Sequence, residues 1–144
     1  MYIRKLASMS LLLAVTACSA NAATCLISAK QVGAVRMGMT IAQARTAMPA
    51  ANFSAIQDAD HMDMFRVSSA GNRIMDLYVD IDEPRRDRAK IELIRVFDSS
   101  CATAESVHPG TPLAAVEKQY GKLLRLERTE TESREYAEFE KAPS

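Results

Sequence analysis

The sequence predicts an α+β fold: a short helix packed on an antiparallel β-meander, followed by an abbreviated second set of helix plus strands. Three observations predict it. First, residues 37–45, Met-Gly-Met-Thr-Ile-Ala-Gln-Ala-Arg, are echoed 72 positions later by residues 109–117, Pro-Gly-Thr-Pro-Leu-Ala-Ala-Val-Glu. In each, a glycine (Gly38, Gly110) opens a turn that a helix leaves within two residues. Second, residues 73–81 alternate, with Met75, Leu77, Val79 and Ile81 on one face and Ile74, Asp76, Tyr78 and Asp80 on the other. That is the period of a half-buried strand. Third, each helix is followed by strand material rather than by another helix, the order expected of an α+β domain.

The elements follow in order. Arg4 and Lys5 precede an apolar run at 6–17 and then small residues. This is the build of an export signal. The run is too short to span a bilayer, which takes about 20 residues. Two endings are open. Ala20-Asn21-Ala22 would release a chain starting at Ala23. Val15-Thr16-Ala17-Cys18 reads as a lipobox, in which the Cys18 thiol takes a diacylglycerol and becomes the new N-terminus. The expected destinations are the periplasm or, through Cys18, the periplasmic side of the outer membrane. Removing the signal, residues 1–22, from the 144 leaves 122 for one domain, enough to build a core. It divides into two related units, about 25–98 and 101–144.

Composition narrows the function classes. The signal takes two bases from 18, leaving 16 bases against 18 acids. A slightly acidic balance argues against a nucleic-acid partner, which needs a basic face. There is no Trp and few other aromatics, so stacking platforms for bases or sugars are poorly supplied. Cys25 and Cys101 are an even pair in an oxidising compartment and read as a disulfide, the alternative being two buried thiols. No Cys-x-x-Cys is present for thiol redox chemistry.

Thr40 is the expected N-cap of the first helix, with Gln43 completing a capping box and Pro49 as the stop. Strands are expected at 62–68, 73–81 and 90–98. Gly71-Asn72 marks the hairpin between the first two. Pro84-Arg85-Arg86-Asp87-Arg88 forms a charged connection to the third. In the second unit Thr111 is the expected cap, Pro112 takes the first helical position where its missing N–H costs nothing, and Gly121 is the stop. Leu113 and Val116 correspond to Ile41 and Ala44. Both helices are too short to be stable alone, so each is expected to lie on a sheet. Further strands are expected at 122–131 and 134–140. The chain stops at Pro143-Ser144 before the second unit matches the first, as an abbreviated or truncated copy would.

The Gly-Met-Thr turn, short helix, Pro or Gly stop and three-stranded meander resemble the superfamily of the β-lactamase-inhibitor proteins. They also resemble the small outer-membrane assembly lipoproteins of the SmpA/OmlA type. The match covers residues 38–49 and, more loosely, 110–121. Exported bacterial proteins with paired units of this kind, including a stretch like Ser133-Arg134-Glu135-Tyr136-Ala137-Glu138-Phe139, resemble the chain more closely still. The resemblance implies a protein that binds other proteins and has no active site.

The remaining candidates for chemistry read as structural. His61 sits in Asp58-Ala59-Asp60-His61-Met62-Asp63, which lacks the glycine and terminal Glu of an EF-hand loop. It reads as a solvated acidic loop. His108 precedes a Pro-Gly turn. Asp76, Asp80, Asp82 and Glu83 read as a polar strand face beside a basic loop. Ser99-Ser100 lacks a nucleophile-elbow context. Arg85, Arg86 and Arg88 are interleaved with acids. Met37, Met39, Met48, Met62, Met64 and Met75 could supply soft thioethers to Cu(I), or fill core and groove space. The expectation is a non-catalytic cell-envelope module without cofactor. Its partner, an unidentified envelope protein, would contact the exposed sheet face or the turns at Gly38 and Thr40 and at Gly110 and Thr111. The alternative is a small-ligand or metal (Cu/Ca) binder using the methionines or the acids from Asp76 to Glu83.

Overall fold

The computed structural model describes residues 25–80, 86–129 and 134–141. Residues 1–24, Ile81, Asp82, Glu83, Pro84, Arg85, residues 130–133 and the last three positions lie outside them, and the expected export signal and Cys18 fall among these. Strands β1 (Leu26–Ser28), β2 (Gln31–Val32) and β3 (Val35–Arg36) form a tight antiparallel meander. Its Val32 and Val35 are buried. The chain then turns at Gly38, whose φ of 82° suits glycine. The turn is not loose. Gly38 N–H donates to the Ile91 carbonyl at 2.7 Å, and Ile91 N–H donates to the Met39 carbonyl at 2.8 Å.

Helix α1 (Ile41–Ala47) starts as expected. Gln43 N–H donates to Thr40 Oγ1, and Thr40 N–H donates to Gln43 Oε1, a reciprocal capping box. Ile41 and Ala44 are fully buried. They meet Phe53, Phe65, Val67, Met75, Leu77, Val79 and Ile91 in the main core. A seven-residue helix has too few internal bonds to persist alone; this contact is what holds it.

That core rests on a four-stranded antiparallel sheet in the order β4-β5-β6-β7: β4 (Asn52–Gln57), β5 (Asp63–Ser69), β6 (Asn72–Val79) and β7 (Ile91–Val96). A 3-10 turn over Arg86–Arg88 precedes β7. The meander therefore has four strands, not the three expected. Strand β4 escaped the sequence because it is an edge strand that buries only Phe53. Its apolar residues are Phe53, Ala55 and Ile56, but only Phe53 is buried and the last two are consecutive, so no sustained period-2 alternation reveals it. The β5–β6 hairpin turns on Ala70-Gly71, with φ of 49° and 82°, and Asn72 already pairs with Ser69. The turn thus lies one residue earlier than Gly71-Asn72. Strand β6 is also more buried than a half-exposed strand, since Asp76 and Tyr78 are buried along with Met75, Leu77 and Val79.

The second unit begins at β8 (Ala102–Thr103), which pairs parallel with β1 and completes a small sheet ordered β3-β2-β1-β8. Beside this pairing, Cys25 and Cys101 form a disulfide with Cα atoms 4.4 Å apart and a sequence separation of 76. Helix α2 (Leu113–Tyr120) starts 72 residues after α1. Its cap corrects the expectation for Thr111. The N-cap is Pro112, with no side-chain cap bond. Thr111 Oγ1 instead accepts from His108 N–H at 2.9 Å, closing the turn before the helix.

Strands β9 (Leu123–Thr129) and β10 (Arg134–Phe139) begin 71 residues after β4 and β5 and form a separate two-stranded antiparallel sheet. The echo therefore runs through one helix and two strands. Packing does not follow it. Leu113 is 50 % exposed where its counterpart Ile41 is fully buried. Helix α2 does not lie on a sheet face as α1 does: it buries only Tyr120, whose ring meets Phe139 at 6.3 Å between centroids. At Gly121 a Cβ would run into the Glu140 side chain.

Candidate functional site: an arginine and phenylalanine face on the sheet

Alternation along β5, β6 and β7 sends Phe65, Val67, Met75 and Leu77 toward α1. It sends Arg66, Asp76 and Arg95 to the opposite face. Register places those three in one cross-strand row, with Arg66 opposite Asp76 and Asp76 opposite Arg95. Asp76 has no solvent exposure, whereas Arg66 and Arg73 are 38 % and 35 % exposed. Arg66 Nε donates to Asp76 Oδ1 at 3.3 Å and Arg73 Nε to the same oxygen at 3.1 Å. A second Arg73 nitrogen donates to Asp76 Oδ2. A buried carboxylate is costly unless paired and hydrogen-bonded. The bidentate grip of Arg73 and the single Nε bond from Arg66 meet that condition here.

The arginines extend the site outward. The Arg73 guanidinium lies 3.5 Å from the Phe97 ring centroid, and that of Arg95 lies 5.2 Å from it. Both are within cation–π range. Among the described residues no carboxylate forms an ion pair with Arg95. Two guanidinium groups thus bind one carboxylate and a third arginine, Arg95, stands across from it in register, so this row carries three cations to one anion on a chain whose formal charge is zero. Chemically, this face can receive anionic groups with forked donors and stack planar ones on Phe97.

Asp76 lies on the polar face of its strand, as read from the sequence, and there it is buried beneath two arginines. Arg66, Arg73, Arg95 and Phe97 were not singled out from the sequence. The signal is hidden by a β-bulge between Val67 and Ser68. Counting outward from the hairpin in regular register sets Asp76 opposite Phe65. The one-residue slip sets it opposite Arg66 instead, and such a slip exchanges the faces.

The other candidates are dispersed. Asp58 Oδ1 accepts from the N–H groups of Asp60 and Met62, tightening the β4–β5 loop, and His61 sits there at φ 61°. The His108 ring nitrogen lies 3.0 Å from the Pro109 carbonyl. Ser100 N–H donates to Asp98 Oδ1 in a turn leading to Cys101. Asp80 N–H donates to the Lys90 carbonyl, and Asp80 borders a cleft of about 20 Å³, room for a water molecule. Asp87 pairs with Arg45 at 3.5 Å. Met37 and Met39 both border an open groove with Gly38, Lys30 and Arg36, and Met39 Sδ accepts from Arg36 N–H. Met62 is exposed and Met64 buried. Among the described residues no three His, Cys, Asp or Glu side chains converge as a metal site.

A second polar knot lies at the end of α2. Tyr120 donates its hydroxyl proton to Glu105 Oε2 at 3.0 Å, and lies 2.6 Å from the Thr103 hydroxyl. Burial pushes the Tyr120 phenol up from its ordinary value; the Thr103 bond opposes this and the Glu105 carboxylate adds to it. No family model, curated protein or solved structure matches the chain.

Proposed function

We propose that this is a non-catalytic binding module of the cell envelope that grips a partner protein through the Arg66–Arg73–Arg95–Phe97 face. The observation that carries the reading is the fixed arginine cluster around Asp76. Two of its guanidinium groups are held in place by a buried carboxylate, so little rotamer freedom is lost on binding. Arginine and aromatic side chains are the residue types that dominate binding energy at protein interfaces. The excess positive charge selects an acidic partner surface. The export-type N-terminus supports an envelope location, and the Cys25–Cys101 bridge suits an oxidising compartment. The resemblance to the β-lactamase-inhibitor and SmpA/OmlA proteins supports the same class of function by analogy.

Leu93 is exposed and lies on the same face, two residues from Arg95 on β7. A photo-crosslinking residue placed at Leu93 should capture one discrete envelope protein. Adding Arg95→Glu should abolish that product while leaving the fold intact. No discrete product at Leu93, or a product indifferent to Arg95→Glu, would sink the reading.

A further inference from the structure

We propose that β9 is a self-pairing edge: two copies of this chain join β9 to β9, antiparallel about a twofold axis at Leu126. The result is a continuous four-stranded sheet ordered β10-β9-β9-β10. Three observations lead there, none involving the arginine face. The β9–β10 hairpin exposes Leu124, Leu126 and Tyr136 to 60 %, 59 % and 50 %. A lone two-stranded sheet is marginal in water, and gains stability from added strands. Among the described residues β9 pairs only with β10, so its other edge offers backbone donors and acceptors to a further strand.

Charge then selects the occupant. Arg125 and Glu127 flank Leu126 and form an exposed ion pair within one copy. In an antiparallel pair centred on Leu126, Arg125 of each copy stands opposite Glu127 of the other, and Leu126 stands opposite Leu126. The edge is thus complementary to itself, twice per dimer. Strand β10 offers less to a second copy: it carries one exposed large apolar side chain, Tyr136, against Leu124 and Leu126 on β9, and two glutamates against one arginine. Opposite charges directly across a strand pair stabilise it and like charges destabilise it, by up to about 1 kcal/mol each.

The test uses the full chain with Cys18→Ser, so that an introduced thiol is the sole one outside the Cys25–Cys101 bridge. Residues facing each other across antiparallel strands have Cα atoms about 4.5–5.5 Å apart, within disulfide reach. Leu126→Cys should give a disulfide-linked dimer on mild oxidation, and Tyr136→Cys should not. In sedimentation velocity the parent chain should dimerise. Arg125→Glu should weaken the dimer about tenfold or more, and Arg125→Glu with Glu127→Arg should restore it. A parent chain that stays monomeric at high micromolar concentration overturns the proposal. So does a double variant that remains as weak as Arg125→Glu, or cross-linking through Tyr136→Cys in place of Leu126→Cys.

Discussion

Asp76 is where one side chain decides the most. Its two oxygens bind two arginines, and it lies beneath them without solvent contact. Asp76→Asn keeps the shape but removes the charge, leaving three guanidinium groups mutually repelling. It should lower unfolding free energy by about 2 kcal/mol, in the range of hydrogen bonds to charged groups. Denaturant midpoints check this, and an unchanged midpoint would mean the node carries no stability. Tyr120 gives a pH-dependent counterpart. Its folded pKa is raised above the unfolded value of 10.0, so the folded state holds the proton more tightly. The stability this contributes is fully present below pH 10 and is lost as pH rises through the folded value. The stability gap between wild type and Tyr120→Phe should therefore narrow in urea titrations above pH 10.

At the scale of elements, the two helices share a sequence pattern but differ in what anchors them. Helix α1 has a side-chain cap, and α2 has none. Thr40→Ala should cost about 1 kcal/mol, while Thr111→Ala should cost less, since it removes one turn bond rather than a cap. Parallel chemical denaturation of the two variants checks the ordering. The capping box at Thr40 and Gln43 was legible because it is local, all its partners lying within four residues. The strands at 63–69, 72–79 and 91–96 were legible to within a residue or two from alternation. Strand β4 was not, since an edge strand needs few apolar side chains. The arginine node was not either, because a bulge moved Asp76 from Phe65 to Arg66. Nothing in the local sequence announces a bulge there.

For the whole molecule, the strongest cross-link is Cys25–Cys101. It joins the start of one unit to the start of the other across 76 residues. Cys101→Ser should lower stability by about 4 kcal/mol on chain-entropy grounds. Chemical denaturation under non-reducing conditions checks this. The bridge also orders the small sheet, because β8 pairs with β1 immediately beyond it.

Local patterns by themselves determined the α+β class, the first helix and its cap and the main strand runs, and offered Cys25 and Cys101 as a pair that the structure then joins. These depend on periodicity and on capping chemistry within a turn of the chain, and the cysteine pair rested on the export reading that sets Cys18 aside. Tertiary structure alone decided that Asp76 is buried beneath two arginines and that Phe97 lies under Arg73 and near Arg95. It also left Leu113, Leu124 and Leu126 exposed, although one helix and two strands of the second unit echo the first. The physical reason is that these depend on cross-strand register and on which faces find a covering layer, and both are set by residues far apart in sequence.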